Sequence, residues 1–164
     1  MTNYLEGLMS ENSKPIRSTD EASKEFIREL LDGDETHGID IDSIYFTKKG
    51  WVIFEFLKCN TVDPYESHPN RYSFNWRKFA TLFSLAKKLG GRLILVNYSK
   101  EEEWKDHIKL LYVKHVDTKL AQEKSGRGYL EYLEATEKKM TLDEFKDWFR
   151  NLNSEATVPW EEED

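Results

Sequence analysis

Apolar positions recur at helical spacing early in the chain. Ala22, Phe26, Ile27, Leu30 and Leu31 share one stripe and Gly33 follows as a stop, which predicts a helix over 19–32. Ser18-Thr19-Asp20-Glu21 has the form of a capping box, in which the Ser18 hydroxyl and the Glu21 carboxylate satisfy free amides of the first turn. The period then shortens. In HGIDIDSIYFTKKGWVIFEFLKC, two β-branched and aromatic runs flank Lys48-Lys49-Gly50, which predicts a hairpin with strands over 38–47 and 51–58. WVIFEFLK is nearly continuous in apolar residues apart from Glu55 and Lys58, as in a strand covered on both faces. A carboxylate inside such a strand is costly unless it is paired, protonated or bound to a cation.

A polar loop with two prolines, residues 59–72, separates the hairpin from a helix predicted over 73–89, striped by Trp76, Phe79, Ala80, Phe83 and Ala86 and ended by Gly90-Gly91. RLILVNY predicts a buried strand over 92–98, so strand, crossover helix and strand form a right-handed parallel unit. Ser99 and Glu102 suggest a short capped helix, 108–116 a further strand, and 128–139 a helix. Thr141-Leu142-Asp143-Glu144 caps a last helix running to Leu152. The expected fold class is α/β: a mixed sheet of about four to five strands with a central hairpin and flanking helices. Residues 1–17 read as a leader, 18–153 as one domain and 154–164 as an acidic tail.

Composition narrows the function classes. At 13% aromatic the chain is not generally disordered, and no apolar run approaches the roughly 18 residues of a membrane span. There is no basic region followed by an apolar one at the N-terminus, and Cys59 is the single cysteine, so an internal disulfide is excluded and a cytoplasmic setting is expected. The net charge of −7 argues against binding nucleic acid by bulk electrostatics alone. It is compatible with carboxylates that hold metal ions.

The order helix, Asp-bearing strand, Glu-bearing strand, crossover helix and strand resembles the core of the PD-(D/E)XK nuclease superfamily over about residues 19–98, on the segments GIDID and IFEFLKC. The resemblance implies a restriction-endonuclease-like core and a Mg²⁺ (or Mn²⁺) site for phosphodiester hydrolysis of DNA or RNA. Asp42 (or Asp40) and Glu55 would be metal ligands, and Lys58 would orient or activate the attacking water. Hard divalent cations suit this chemistry because they take carboxylate oxygens and neutralise phosphate.

Strand register tests the resemblance. A two-residue Lys48-Lys49 turn puts Asp42 directly opposite Glu55. A Lys49-Gly50 turn puts it one diagonal step away, and a three-residue turn moves it to the other face. Lys58 lies three residues past Glu55, where the family has two, so it shares a face with Glu55 only across a β-bulge. His68, Asn70, Arg71, Arg77 and Lys78, after the Glu strand, are candidates to hold nucleic-acid phosphate. The competing reading pairs Glu55 with Lys58, Arg71 or Arg92 and leaves Asp40 and Asp42 on an exposed strand edge. The chain would then be a non-catalytic module for a protein partner or a second copy of itself.

Overall fold

The computed structural model describes residues 19–159, and the chain divides into two compact units, residues 1–38 and 39–164. The leader over 1–17, the Ser18 cap and the acidic end of the tail, 160–164, lie outside the described residues. In the first unit, helix α1 spans Thr19–Leu31. It closes through Asp32 and Gly33 at positive φ, 47° and 94°, a left-handed exit that glycine adopts without strain.

The second unit is an α/β layer structure on a five-stranded mixed sheet whose strands lie in chain order. They are β1 (Ser43–Thr47), β2 (Gly50–Lys58), β3 (Arg92–Tyr98), β4 (His107–Val116) and β5 (Leu133–Thr141). Only β2 and β3 run parallel; the other neighbours are antiparallel. The parallel step needs a crossover, supplied by helix α2 (Trp76–Lys88) as its apolar stripe predicts. The hairpin turns at Lys48-Lys49, pairing Thr47 with Gly50, and Gly50 takes the positive φ of 104° that the reversal requires. At the far end of α2, a Cβ on Gly91 would overlap the Trp51 carbonyl, so the close approach of helix exit and β2 needs glycine there.

Alternation along the strands sorts the core into two layers. On one face Ile53, Leu93, Leu95 and Leu111 meet Phe79, Leu82 and Ala86 of α2 and Ala121 of helix α3 (Thr118–Lys124). On the other, Val52, Phe54, Ile94, Val96 and Leu110 meet Leu152 and the aromatic stripe Phe145, Trp148 and Phe149 of helix α4 (Leu142–Glu155). Each fully buried side chain of this size contributes about 1.5–3 kcal/mol. The Thr141 cap of α4 forms as expected, its hydroxyl accepting from the Glu144 amide at 3.2 Å.

Three expectations change. Residues 133–141, which overlap most of the segment read as helix over 128–139, form β5, because pairing along β4 overrides the helix preference of Glu, Ala and Lys. Its exposed charges suit an edge strand, which they protect from further pairing. No helix follows Ser99; its hydroxyl closes a turn by accepting from the Glu101 amide. The hairpin sits at one side of the sheet, with β1 as the edge and β3 in the middle. No helix among the described residues is long and apolar enough to cross a membrane.

Candidate functional site

Glu55 lies in the middle of β2 and is 4% exposed. Its parity is that of Ile53, so it points toward the α2 side of the sheet. The β1–β2 ladder pairs Ser43 with Phe54, and the next step of that register sets Asp42 directly across from Glu55. This is the register of the two-residue Lys48-Lys49 turn. Directly opposed residues have Cβ atoms about 5 Å apart, within the span of one cation. Strand β1 begins at Ser43, and just before it Asp42 extends the ladder with its side chain: its Oδ2 accepts from the Phe56 amide at 2.8 Å. That bond holds the carboxylate beside Glu55.

The cation that reaches Glu55 is Lys78, from the first turn of α2, with Nζ 2.5 Å from Oε1. Lys58 does not. The β2–β3 ladder runs without a bulge from Val52 to Lys58, so alternation turns Lys58 to the opposite face, where it ends the strand exposed. The lysine that the fold sets against Glu55 is therefore Lys78 and not Lys58. Spacing along one strand cannot reveal a lysine supplied by a crossover helix. Its signal was instead electrostatic: a basic first turn, Arg77-Lys78, opposes the helix dipole unless it answers another charge.

The electrostatics are unbalanced. Burial pushes the Glu55 carboxyl up, the Lys78 hydrogen bond pulls it down and the Asp42 charge raises it again, leaving it at about 7 instead of 4.5. Lys78 pairs with Glu55, the Asp42 carboxyl beside it raises Glu55 by charge and by hydrogen bonding, and the buried Oε2 of Glu55 has no donor. Among the described residues no group of three or more His, Cys, Asp or Glu converges. A cation here would thus have two carboxylates and otherwise water or substrate oxygens, a set that fits Mg²⁺, which keeps several waters and leans on phosphate. Asp40 is exposed and precedes β1, and the register sets Asp42, not Asp40, opposite Glu55.

The loop after β2 has more structural work than expected. Asn70 is buried and holds β5 by a reciprocal pair, its amide donating to the Leu133 carbonyl at 3.1 Å and its oxygen accepting from the Leu133 amide at 3.0 Å. His68 Nδ1 accepts from the Asn70 amide, and burial lowers the affinity of this ring for a second proton. Asn70 is therefore committed to the fold and not available as a phosphate holder, and His68 has one ring nitrogen committed beside it. Arg71 and Arg77 are exposed, with the Arg77 guanidinium 5.5 Å from the centre of the Trp76 ring. A separate cavity of about 390 Å³ lies on the α4 side, among Phe56, Val96, Ile108 and Phe145, and takes no part in this arrangement.

No family model, curated protein or solved structure matches the chain.

Proposed function

We propose that the 39–164 unit is a metal-dependent, nuclease-like hydrolase of DNA or RNA phosphodiesters, built on a restriction-endonuclease-like core. The observation that supports this reading is the apposition of Asp42 and Glu55 with a buried, unpartnered Glu55 oxygen. A purely structural buried acid has its oxygens satisfied and no second acid facing it. Here a second carboxylate faces an acid already paired with one lysine, and a dication would offset the added charge. Asp42 and Glu55 would hold Mg²⁺ or Mn²⁺, which when bound supplies charge neutralisation at the scissile phosphate and a more acidic water.

The chain's own residues then divide the work. Asp42 is held by the Phe56 amide and would share the cation with Glu55. Glu55 must lose its proton to join it, so cation binding strengthens as pH rises through about 7. Lys78 is 35% exposed and can turn from Glu55 toward a phosphate oxygen or the attacking water once the carboxylate is taken by metal. A cytoplasmic setting, where thiols stay reduced, suits a chain with one buried cysteine.

A second reading rests on the Glu55–Lys78 ion pair itself, which a non-catalytic interaction module on the same scaffold would also contain. Titration with Mn²⁺ followed by calorimetry separates the two. We expect saturable heat for the wild type and none for Glu55→Gln, together with Mn²⁺-dependent cleavage only by the wild type. Equal heats for both proteins would overturn the hydrolase reading and leave the interaction module.

A further inference from the structure

In a chain with 31 acidic residues, the stretch from Ser67 to Lys100 contains no Asp or Glu and seven Lys or Arg. That stretch includes the turn Ser73–Asn75 and the start of α2, which leads to Lys78 beside Glu55. A second loop is fastened to it. The buried Ser73 hydroxyl bonds both the Gly126 carbonyl, at 2.9 Å, and the Gly126 amide, at 3.0 Å. A few residues on, the Leu130 amide donates to the Asn70 carbonyl at 2.8 Å. Residues 70–78 and 126–130 therefore form one surface. It presents two large aromatic rings to solvent, Phe74 at 62% and Tyr129 at 64% exposure. Arg71, Arg77 and Arg127 are exposed beside them, and among the described residues none of the three is ion-paired with a carboxylate.

Exposed rings of this size are costly to leave in water, and Phe74 meets the core through its contact with Tyr72, at 6.4 Å between ring centres. Interleaved with guanidinium groups, they match the chemistry of an unpaired nucleic-acid strand. Every free base has a flat face to stack on an aromatic ring, and the backbone brings phosphates for arginine. A duplex hides those base faces and offers only its phosphates. We infer that this surface binds single-stranded nucleic acid by stacking bases on Phe74 and Tyr129, delivering an unpaired strand toward Asp42, Glu55 and Lys78. The inference builds on the hydrolase reading, since it names the substrate class of that site.

The test is fluorescence anisotropy with the full chain in EDTA, using labelled 20-nucleotide strands of mixed-sequence DNA and RNA and the matching DNA duplex. Unpaired strands are expected to bind at least about tenfold more tightly than duplex. Phe74→Ala and Tyr129→Ala should each weaken strand binding about tenfold, while Phe74→Trp and Tyr129→Phe retain it. Both positions are more than half exposed, so these variants fold. Comparing the two single strands tells DNA from RNA as the source. Duplex binding equal to strand binding, or strand binding indifferent to both alanine variants, overturns the inference. So does the absence of any binding, which would turn the surface over to a protein partner. Because no divalent metal is present, binding is scored apart from cleavage. A chain that binds strands but cuts nothing with Mn²⁺ keeps this inference and loses the hydrolase reading, and one that cuts only duplex does the reverse.

Discussion

Two buried ion pairs lie on the same side of the sheet, and they are built in opposite senses. In one, Lys109 is the buried partner, 3% exposed, and Glu137 is 42% exposed; in the other, Glu55 is buried at 5% and Lys78 is 35% exposed. The first is complete. Lys109 Nζ donates to Glu137 at 2.8 Å and to the Tyr65 carbonyl at 3.0 Å, pinning the loop after β2, where Tyr65 also stacks on His107 and bonds the Met140 carbonyl. The second is unfinished, with one oxygen of Glu55 unpartnered and Asp42 adding a like charge. Completed networks rigidify a fold, whereas a half-satisfied one is costly and is kept where it serves something else. The contrast separates a structural pair from a candidate site within one sheet.

Cutting the same kind of group from each pair should have opposite consequences. Glu55→Gln is expected to lower Mn²⁺-dependent cleavage by about 100- to 1000-fold, the scale of losing a fixed charge at a reacting centre. Its stability to urea at pH 8 should hold or rise, since the neutral amide no longer has to be kept charged in the core. Glu137→Ala should do the reverse. It leaves the Lys109 ammonium buried with a single acceptor, and we expect a loss of about 2 kcal/mol in urea unfolding with cleavage per folded molecule unchanged. The figure sits below that for a fully buried pair because Glu137 is partly solvated. If both variants lose stability alike, the two pairs are equivalent and the distinction falls.

The complete pair was invisible in the sequence and the unfinished one half visible, for physical reasons. Glu55 stands out because an acid interrupts an apolar run, and Asp42 follows from a hairpin whose turn sets the register. Lys78 was legible only as a basic residue at a helix start, because its partner is brought by the crossover and not by spacing. Lys109 and Glu137 went unnoticed since β5 reads as helix, and a residue assigned to a helix cannot be matched across a ladder. The long regular elements, β2, α2, β3 and α4, were legible throughout, because burial on one or both faces writes its period into the chain. Asn70 misled for the same reason as any loop residue: a polar side chain that pins a strand end looks like one that binds a ligand.

Proton linkage sharpens the comparison further. On the proposed reading Mn²⁺ binding would require ionised Glu55, and a group that titrates at about 7 is ionised roughly ten times more at pH 8 than at pH 6. Affinity measured by calorimetry should rise about tenfold over that interval. An affinity flat between pH 6 and 8 would mean that Glu55 does not ligate the ion.

The smallest expected effect isolates Asp42. Because the folded state holds the Glu55 proton more tightly than the unfolded chain does, this residue's contribution to stability is lost as pH rises from 4.5 through about 7. The whole displacement corresponds to a penalty on the order of 3 kcal/mol at neutral pH. Asp42 supplies part of it, as the charge that raises Glu55 against the pull of Lys78. Asp42→Asn removes that charge and keeps a side-chain oxygen to accept from the Phe56 amide. We expect the variant to be about 1 kcal/mol more stable than the wild type at pH 7, indistinguishable from it near pH 4, and shallower in its decline between the two. It should lose Mn²⁺ binding at the same time. A gain in stability coupled to a loss of metal is what a strained ligand pair produces, and an ordinary structural acid produces neither. Urea unfolding across pH 4–8, run beside the calorimetric titration, reads both at once, and a variant that is less stable at pH 7 would show Asp42 to be a structural cap on β2 and nothing more.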